Sequence, residues 1–153
     1  MTADERVAEL GLEIPQFPEL PFTPRLVPML QHGGLAYMSG IGPLGRSGVL
    51  GADLSVDAGY EAARETALLA LRRILDEYGA LERVTRWVKV LGLVRCTPDF
   101  VDQPSVVNGF TDLIVEVYGT ERGLCARSAI GVAGLPAGIP VEVEAILAID
   151  SAI

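Results

Sequence analysis

Apolar and polar positions change period several times along this chain, and each change marks an element. Residues 3–10 carry a short amphipathic turn that stops at Gly11. Pro15, Pro18, Pro21 and Pro24 then hold the chain extended. From Leu26 to Leu30 the residues become apolar. His32-Gly33-Gly34 has the composition of a hairpin turn, and Leu35 to Ser39 follows as a strand. A glycine-rich stretch, Gly40 to Gly48, separates this hairpin from a long helical pattern. Ser55 is placed to cap that helix and Gly79 to stop it. Ala62, Leu68, Leu69, Leu71 and Leu75 form its apolar stripe.

Val84 to Leu93 is rich in β-branched residues and reads as a central strand, with Trp87 and Lys89 expected on one face. Pro104 suits the first turn of a second helix, in which Val106, Val107, Phe110, Leu113, Ile114, Val117 and Tyr118 recur at helical spacing up to Gly119. Two alternating stretches close the chain, Ala126 to Ala133 and Pro140 to Ile149. The short loop between them suggests a hairpin. The order ββ, α, β, α, ββ predicts an α+β domain with two helices on one face of a mixed sheet. Many strand residues are apolar on both sides, so the uncovered face is expected to be buried by oligomerisation.

A closing hairpin in which Ala133 pairs with Pro140 would place Arg127, Ala129, Gly131, Glu142 and Glu144 on one face. Arg127 and Glu142 would then stand about 13 Å apart along the strands. A fixed guanidinium is a natural clamp for a carboxylate, and a nearby glutamate can steer a water molecule. Pattern alone favours a structural ion pair between Arg127 and Glu144 at an interface over a ligand clamp. Asn108 precedes Gly109 inside the second helix, a poor pair for helix propensity that implies compensation.

Length and composition exclude several function classes. The 153 residues are half hydrophobic, enough for one packed domain. With 12 basic against 20 acidic residues the net charge is −8, and the cations are scattered, which argues against nucleic acid as a partner. Two cysteines and one histidine leave no metal-ligand pattern, and no apolar run is long enough to span a membrane. Without a signal-peptide layout, the expected location is the cytoplasm. The glycine-rich stretch matches neither phosphate-binding fingerprint.

Several segments together carry a resemblance. They are Gly33 to Gly40, Asp53 to Arg64, Val88 to Gly92, Val107-Asn108-Gly109, Ala126-Arg127-Ser128-Ala129, Leu135-Pro136 and Val141-Glu142-Val143-Glu144-Ala145. The chain resembles the RidA/YjgF family, the reactive intermediate deaminases formerly called endoribonuclease L-PSP or translation inhibitor, in a longer and less characterised branch. The resemblance implies residues 1–25 as an N-terminal extension and 26–153 as the RidA-like domain. It also implies a chorismate-mutase-like fold, a homotrimer, and pockets between subunits.

By the same resemblance, Arg127 would bind a substrate carboxylate and Glu142 would orient the attacking water. Asn108, Ala129, Ser39 and Gly40 would line the pocket. The implied activity is hydrolysis of 2-imino acids, of the 2-aminoacrylate type, to 2-oxo acids and ammonia, with no cofactor or metal. A small-carboxylate-binding protein without catalysis and a pathway-specific enzyme are the alternatives. The acidic charge weighs against RNA cleavage. Leu26, Ile41 and Ala129 depart from residues frequent in the family and point to a more apolar pocket, with a bulkier ligand as one consequence.

Overall fold

In the computed structural model, which describes residues 1–150, one five-stranded sheet carries two long helices on a single face. The last three residues of the expected 26–153 domain lie outside the described residues. The strands are β1 (Met29–His32), β2 (Leu35–Ile41), β3 (Val84–Arg95), β4 (Ala126–Val132) and β5 (Val141–Ile149). Their spatial order is β1-β2-β5-β3-β4. The helices are α1 (Ala3–Glu9), α2 (Val56–Tyr78) and α3 (Gln103–Gly123).

The long helices begin and end where local chemistry requires. The Ser55 hydroxyl accepts from the Ala58 N–H at 3.1 Å, and Gly79 closes α2 in the left-handed conformation at φ 77°. α3 starts at Gln103 with proline in its first turn and loses helical geometry at Gly119 (φ 74°) before resuming to Gly123. The buried stripe of α2 is dominated by small side chains, Ala62, Ala63, Thr66, Ala67 and Ala70, which let α3 and the sheet approach closely. Trp87 anchors the core from β3. It is fully buried and meets Phe110 and Tyr118 of α3 edge to face, with ring centroids at 5.7 and 6.0 Å.

Two sequence expectations are corrected here. The last two strands do not form a hairpin. β4 pairs parallel with β3, whereas β5 lies antiparallel between β2 and β3, so β3 separates β4 from β5. Trp87 and Lys89 also do not share a face. The register of β3 on β5 shifts between them, with Trp87 opposite Leu147 and Lys89 opposite Ile146. Val88 is the extra residue of this bulge. Trp87 therefore points into the core while Lys89 lies on the open face, donating to the Ser128 hydroxyl at 3.2 Å.

The N-terminal residues up to Phe17 lie against this framework. The Thr2 hydroxyl accepts from Glu5 N–H in a capping box, and the Asp4 carboxylate accepts from the N–H groups of Leu81 and Glu82, both at 3.0 Å. Leu12, Ile14 and Phe17 pack on the core, and the Arg73 guanidinium sits 4.2 Å from the centre of the Phe17 ring. No helix among the described residues is long and apolar enough to cross a membrane.

Candidate functional site

β4 is an edge strand, and the parallel register decides where its side chains go. Arg127 stands opposite Val90, Ala129 opposite Gly92, and Gly131 opposite Val94. Val90 and Val94 are fully buried beneath the helices, so Arg127 projects on the helix side at the sheet margin. There its Nη1 donates to Asn108 Oδ1 at 2.7 Å and to Thr111 Oγ1 at 3.1 Å. No carboxylate among the described residues pairs with it, so the ion pair with Glu144 does not form within the chain. One guanidinium nitrogen is thereby fixed by two neutral acceptors, while Nη2 and Nε donate to no partner among the described residues.

Asn108 and Thr111 are three residues apart on α3 and so share the helix surface that meets the edge strand. They are held there by Gly109. A methyl group added at Gly109 would lie 2.0 Å from the Tyr60 carbonyl oxygen, so α2 and α3 cross at this glycine. The poor propensity of the Asn108-Gly109 pair is thus offset by close helix packing. Thr111 escaped the sequence reading. The signal for it was its i+3 spacing from Asn108.

Glu142 belongs to a second cluster. It stands opposite Leu93 on β5, and Glu144 stands opposite Leu91. Both project from the open face of the sheet, the face away from Arg127, Ala129 and Gly131. The expectation that all five share a face is therefore overturned, because it depended on pairing β4 directly with β5. Beside Glu142 the pairing of β2 with β5 slips between Met38 and Ile41, leaving Ser39 and Gly40 as a bulge. The Glu142 side chain fills the space that a side chain at Gly40 would take. An added methyl there would lie 2.1 Å from Oε1.

Ser39 is tied to the chain before β1. Its N–H donates to the Pro28 carbonyl at 3.0 Å and its hydroxyl to the Val27 carbonyl at 2.7 Å. Ile41, one of the departures expected to line the pocket, is buried in the core instead. Leu26 is 60% exposed, close in sequence to the carbonyls that hold Ser39.

The electrostatics of the Glu142 cluster favour a proton carrier. Partial burial pushes the Glu142 carboxyl above the ordinary glutamate range, and the like charge of Glu144 pushes it further in the same direction. A hollow of about 450 Å³ on the open face is lined by Tyr37, Lys89, Leu91, Ser128, Glu144 and Ile146. Among the described residues no three His, Cys, Asp or Glu side chains gather as a metal site.

The candidate residues thus fall into two half-sites: Arg127 with Asn108, Thr111 and Ala129 on the helix side, and Glu142 with Ser39 and Gly40 on the open side. The first half can hold a carboxylate and the second can take and return a proton. Within one chain the sheet stands between them.

Comparison with known proteins gives the same framework. The family described as endoribonuclease L-PSP matches residues 20–149. Protein TCP17 of Trypanosoma cruzi is 44% identical over 105 residues, 69% of this chain and 66% of that protein, a little under two thirds of its length. The crystal structure of Atu1372 from Agrobacterium tumefaciens, a protein of unknown function, superposes with a TM-score of 0.86 at 34% identity. That match covers 97% of this chain and 94% of the other. A putative endoribonuclease from Shewanella oneidensis gives a TM-score of 0.89 at 25% identity over 97% and 100% of the two chains. The YjgF gene product of E. coli matches more loosely, with a TM-score of 0.53 at 25% identity over 80% of this chain and 87% of the other. The fold is that of YjgF proteins, chorismate-mutase-like, and the chain belongs to the endoribonuclease L-PSP family, also known as RidA/YjgF.

Proposed function

We propose that the protein is an imine and enamine deaminase. It would convert 2-imino acids to 2-oxo acids and ammonia in sites built between the subunits of a homotrimer. The observation that carries this reading is the state of Arg127. The guanidinium is fixed through one nitrogen by Asn108 and Thr111, has no acidic partner among the described residues, and presents its remaining donors at the margin of the sheet. Such a group suits a planar carboxylate held by two parallel hydrogen bonds. Serine was bound in the crystal structure of TdcF from E. coli, which shares this fold at a TM-score of 0.55 and 22% identity. A small carboxylate as ligand is in keeping with that.

Because Arg127 and Glu142 leave opposite faces of the sheet, the second half-site would come from a neighbouring copy. The exposed Tyr37 and Ile130 on the open face supply apolar surface for such packing. Arg127 holds the substrate carboxylate and so fixes the position of the adjacent C=N carbon. With the imine protonated on nitrogen, Glu142 takes a proton from water as the water oxygen bonds to that carbon, giving a neutral carbinolamine. It then gives that proton to the nitrogen and takes the hydroxyl proton as the C=O bond forms and the C–N bond breaks, so that ammonia leaves and the 2-oxo acid remains. An enamine substrate first gains a proton at its terminal carbon to become the imine. A carboxyl with a raised pKa serves these proton transfers at neutral pH.

The test is to generate imino acids with an amino-acid oxidase and to follow their disappearance. The expected result is acceleration over buffer that falls roughly 10- to 100-fold in Arg127→Ala, the loss of hydrogen bonds to a charged group, and largely disappears in Glu142→Gln. Saturable 2-oxo acid binding that depends on Arg127, with no acceleration for any imino acid, would instead establish a non-catalytic carboxylate-binding protein.

A further inference from the structure

A second hollow lies in line with the Arg127 half-site. It holds about 490 Å³, and Cys96, Thr97, Gln103, Gly131 and Ala133 are among its walls. Gly131 stands opposite Val94 as Arg127 stands opposite Val90, so both leave β4 on the helix side, with only the methyl of Ala129 between them. Along the strand the two positions are about 13 Å apart. Along α3, Gln103 lies five residues before Asn108, which holds Arg127, a rise of about 7.5 Å. A ligand whose carboxylate sits on the guanidinium can therefore lay a long side chain between β4 and α3 and reach this hollow.

The side chains of the hollow offer acceptors to a ligand. Gln103 Nε2 donates to the Phe100 carbonyl at 2.8 Å and to Cys96 Sγ at 3.7 Å. A carbonyl can only accept, so this contact fixes which way the amide is turned. Oε1 is then the amide atom without a partner among the described residues. Gly131 makes room for the arrangement. A methyl added there would lie 2.7 Å from Cys96 Sγ and 3.0 Å from Gln103 Nε2. Asp99 and Asp102 follow and precede lining residues in the chain, and both are exposed. The Thr97 hydroxyl holds the Asp99 carboxyl below the usual carboxylate range by hydrogen bonding to it. Among the described residues no lysine, arginine or histidine lines the hollow.

Resting on the deaminase reading, we infer that this hollow receives the substrate side chain and that Gln103 sets the specificity there. The preferred substrate is a 2-imino acid whose long side chain ends in a cationic donor group, a guanidinium above all. Its planar fork donates to Gln103 Oε1 while its charge faces Asp99 and Asp102. A side chain ending in a carboxylate would meet like charge. A straight alkyl chain of the same length would cover the amide oxygen without satisfying it.

The experiment compares turnover of the imino acids generated from arginine, norleucine and glutamate. On the same protein, calorimetry measures binding of 5-guanidinopentanoate and hexanoate, carboxylates that have no imine to lose. The expected kcat/KM is roughly 10- to 100-fold higher for the arginine compound than for the norleucine compound, the worth of a hydrogen bond to a charged group, and guanidinopentanoate binds tighter than hexanoate. Asp102 is exposed and its side chain makes no cap hydrogen bond, so its replacement leaves the helix start intact. Both preferences should shrink about tenfold in Gln103→Leu and about twofold to fivefold in Asp102→Asn. Turnover of the norleucine or glutamate compound as fast as that of the arginine compound would overturn the inference and leave deamination standing. So would a preference indifferent to both substitutions. Guanidinopentanoate binding that exceeds hexanoate binding and falls in Gln103→Leu, with no turnover of any imino acid, would refute deamination and leave the subsite standing.

Discussion

Gly109 of α3 rests on the carbonyl oxygen of Tyr60 in α2 so closely that a β-carbon would stand 2.0 Å from it. The obstructing atom is backbone, so neither helix can yield without moving whole. Gly109→Ala is therefore expected to cost about 1–3 kcal/mol, as overpacking does. A lowered midpoint with unchanged slope in denaturant unfolding is the check. Because Asn108 precedes this contact, the same substitution should weaken 2-oxo acid binding.

Thr111 accepts from Arg127 Nη1 at 3.1 Å, and under the proposed function it positions the guanidinium rather than the substrate. Thr111→Val keeps the shape and removes one acceptor from Nη1, a loss of about 0.5–1.5 kcal/mol or a few-fold in affinity. We expect KM to rise with kcat nearly unchanged, the sign of a positioning residue. Arg127→Lys should not recover the wild-type KM, since an ammonium cannot keep Asn108 and Thr111 satisfied while offering two parallel donors to a carboxylate.

Glu142 occupies the space left by the missing side chain of Gly40. In Gly40→Ala the carboxylate must swing aside, and a flexible side chain does so at small cost to stability. The predicted outcome is a large fall in kcat with the unfolding midpoint retained and 2-oxo acid binding by the Arg127 half preserved. Equal loss of binding and turnover would show that Glu142 is not the proton carrier.

The acid limb of the rate profile should follow Glu142. Its carboxyl is raised first by burial and then by Glu144, so activity should rise with pH through a midpoint above the ordinary glutamate value. Glu144→Gln removes the like charge and should lower that midpoint without returning it to the ordinary value, because burial remains. Stability shows the opposite slope. The unfolded chain ionises first, so between the two pKa values the native state binds more protons and stability falls as pH rises. Glu142→Gln should flatten that part of the stability profile.

Much of the framework was legible from local chemistry. Ser55 and Gly79 delimit α2 through a side-chain cap and a left-handed stop, both written in residue type. The partner of β4 was not legible from the two final strands themselves. A short loop with Leu135-Pro136 suggested a hairpin, yet Pro136–Gly138 forms a tight turn with Ala137 at φ 54°, and the chain continues into β5 on the far side of β3. The better signal was the sequence of β3, α3 and β4, a crossover that favours parallel neighbours. The Val88 bulge, which turns Lys89 away from Trp87, depends on β5 across the sheet and has no local mark. Resemblance singled out Arg127 and Glu142 as individual residues, but which face each occupies depends on register.

The sheet that separates Arg127 from Glu142 has a genetic consequence. If each site draws one residue from each of two copies, an Arg127→Ala chain and a Glu142→Gln chain are defective in different halves. Mixed assemblies of the two inactive chains would contain some interfaces with both residues intact, so co-refolding them should restore part of the activity that neither shows alone. Placing both substitutions in one chain and mixing it with wild type should give no such rescue, only dilution. Loss of function at these two positions would then complement between alleles, as in a protein whose working unit is the contact rather than the chain.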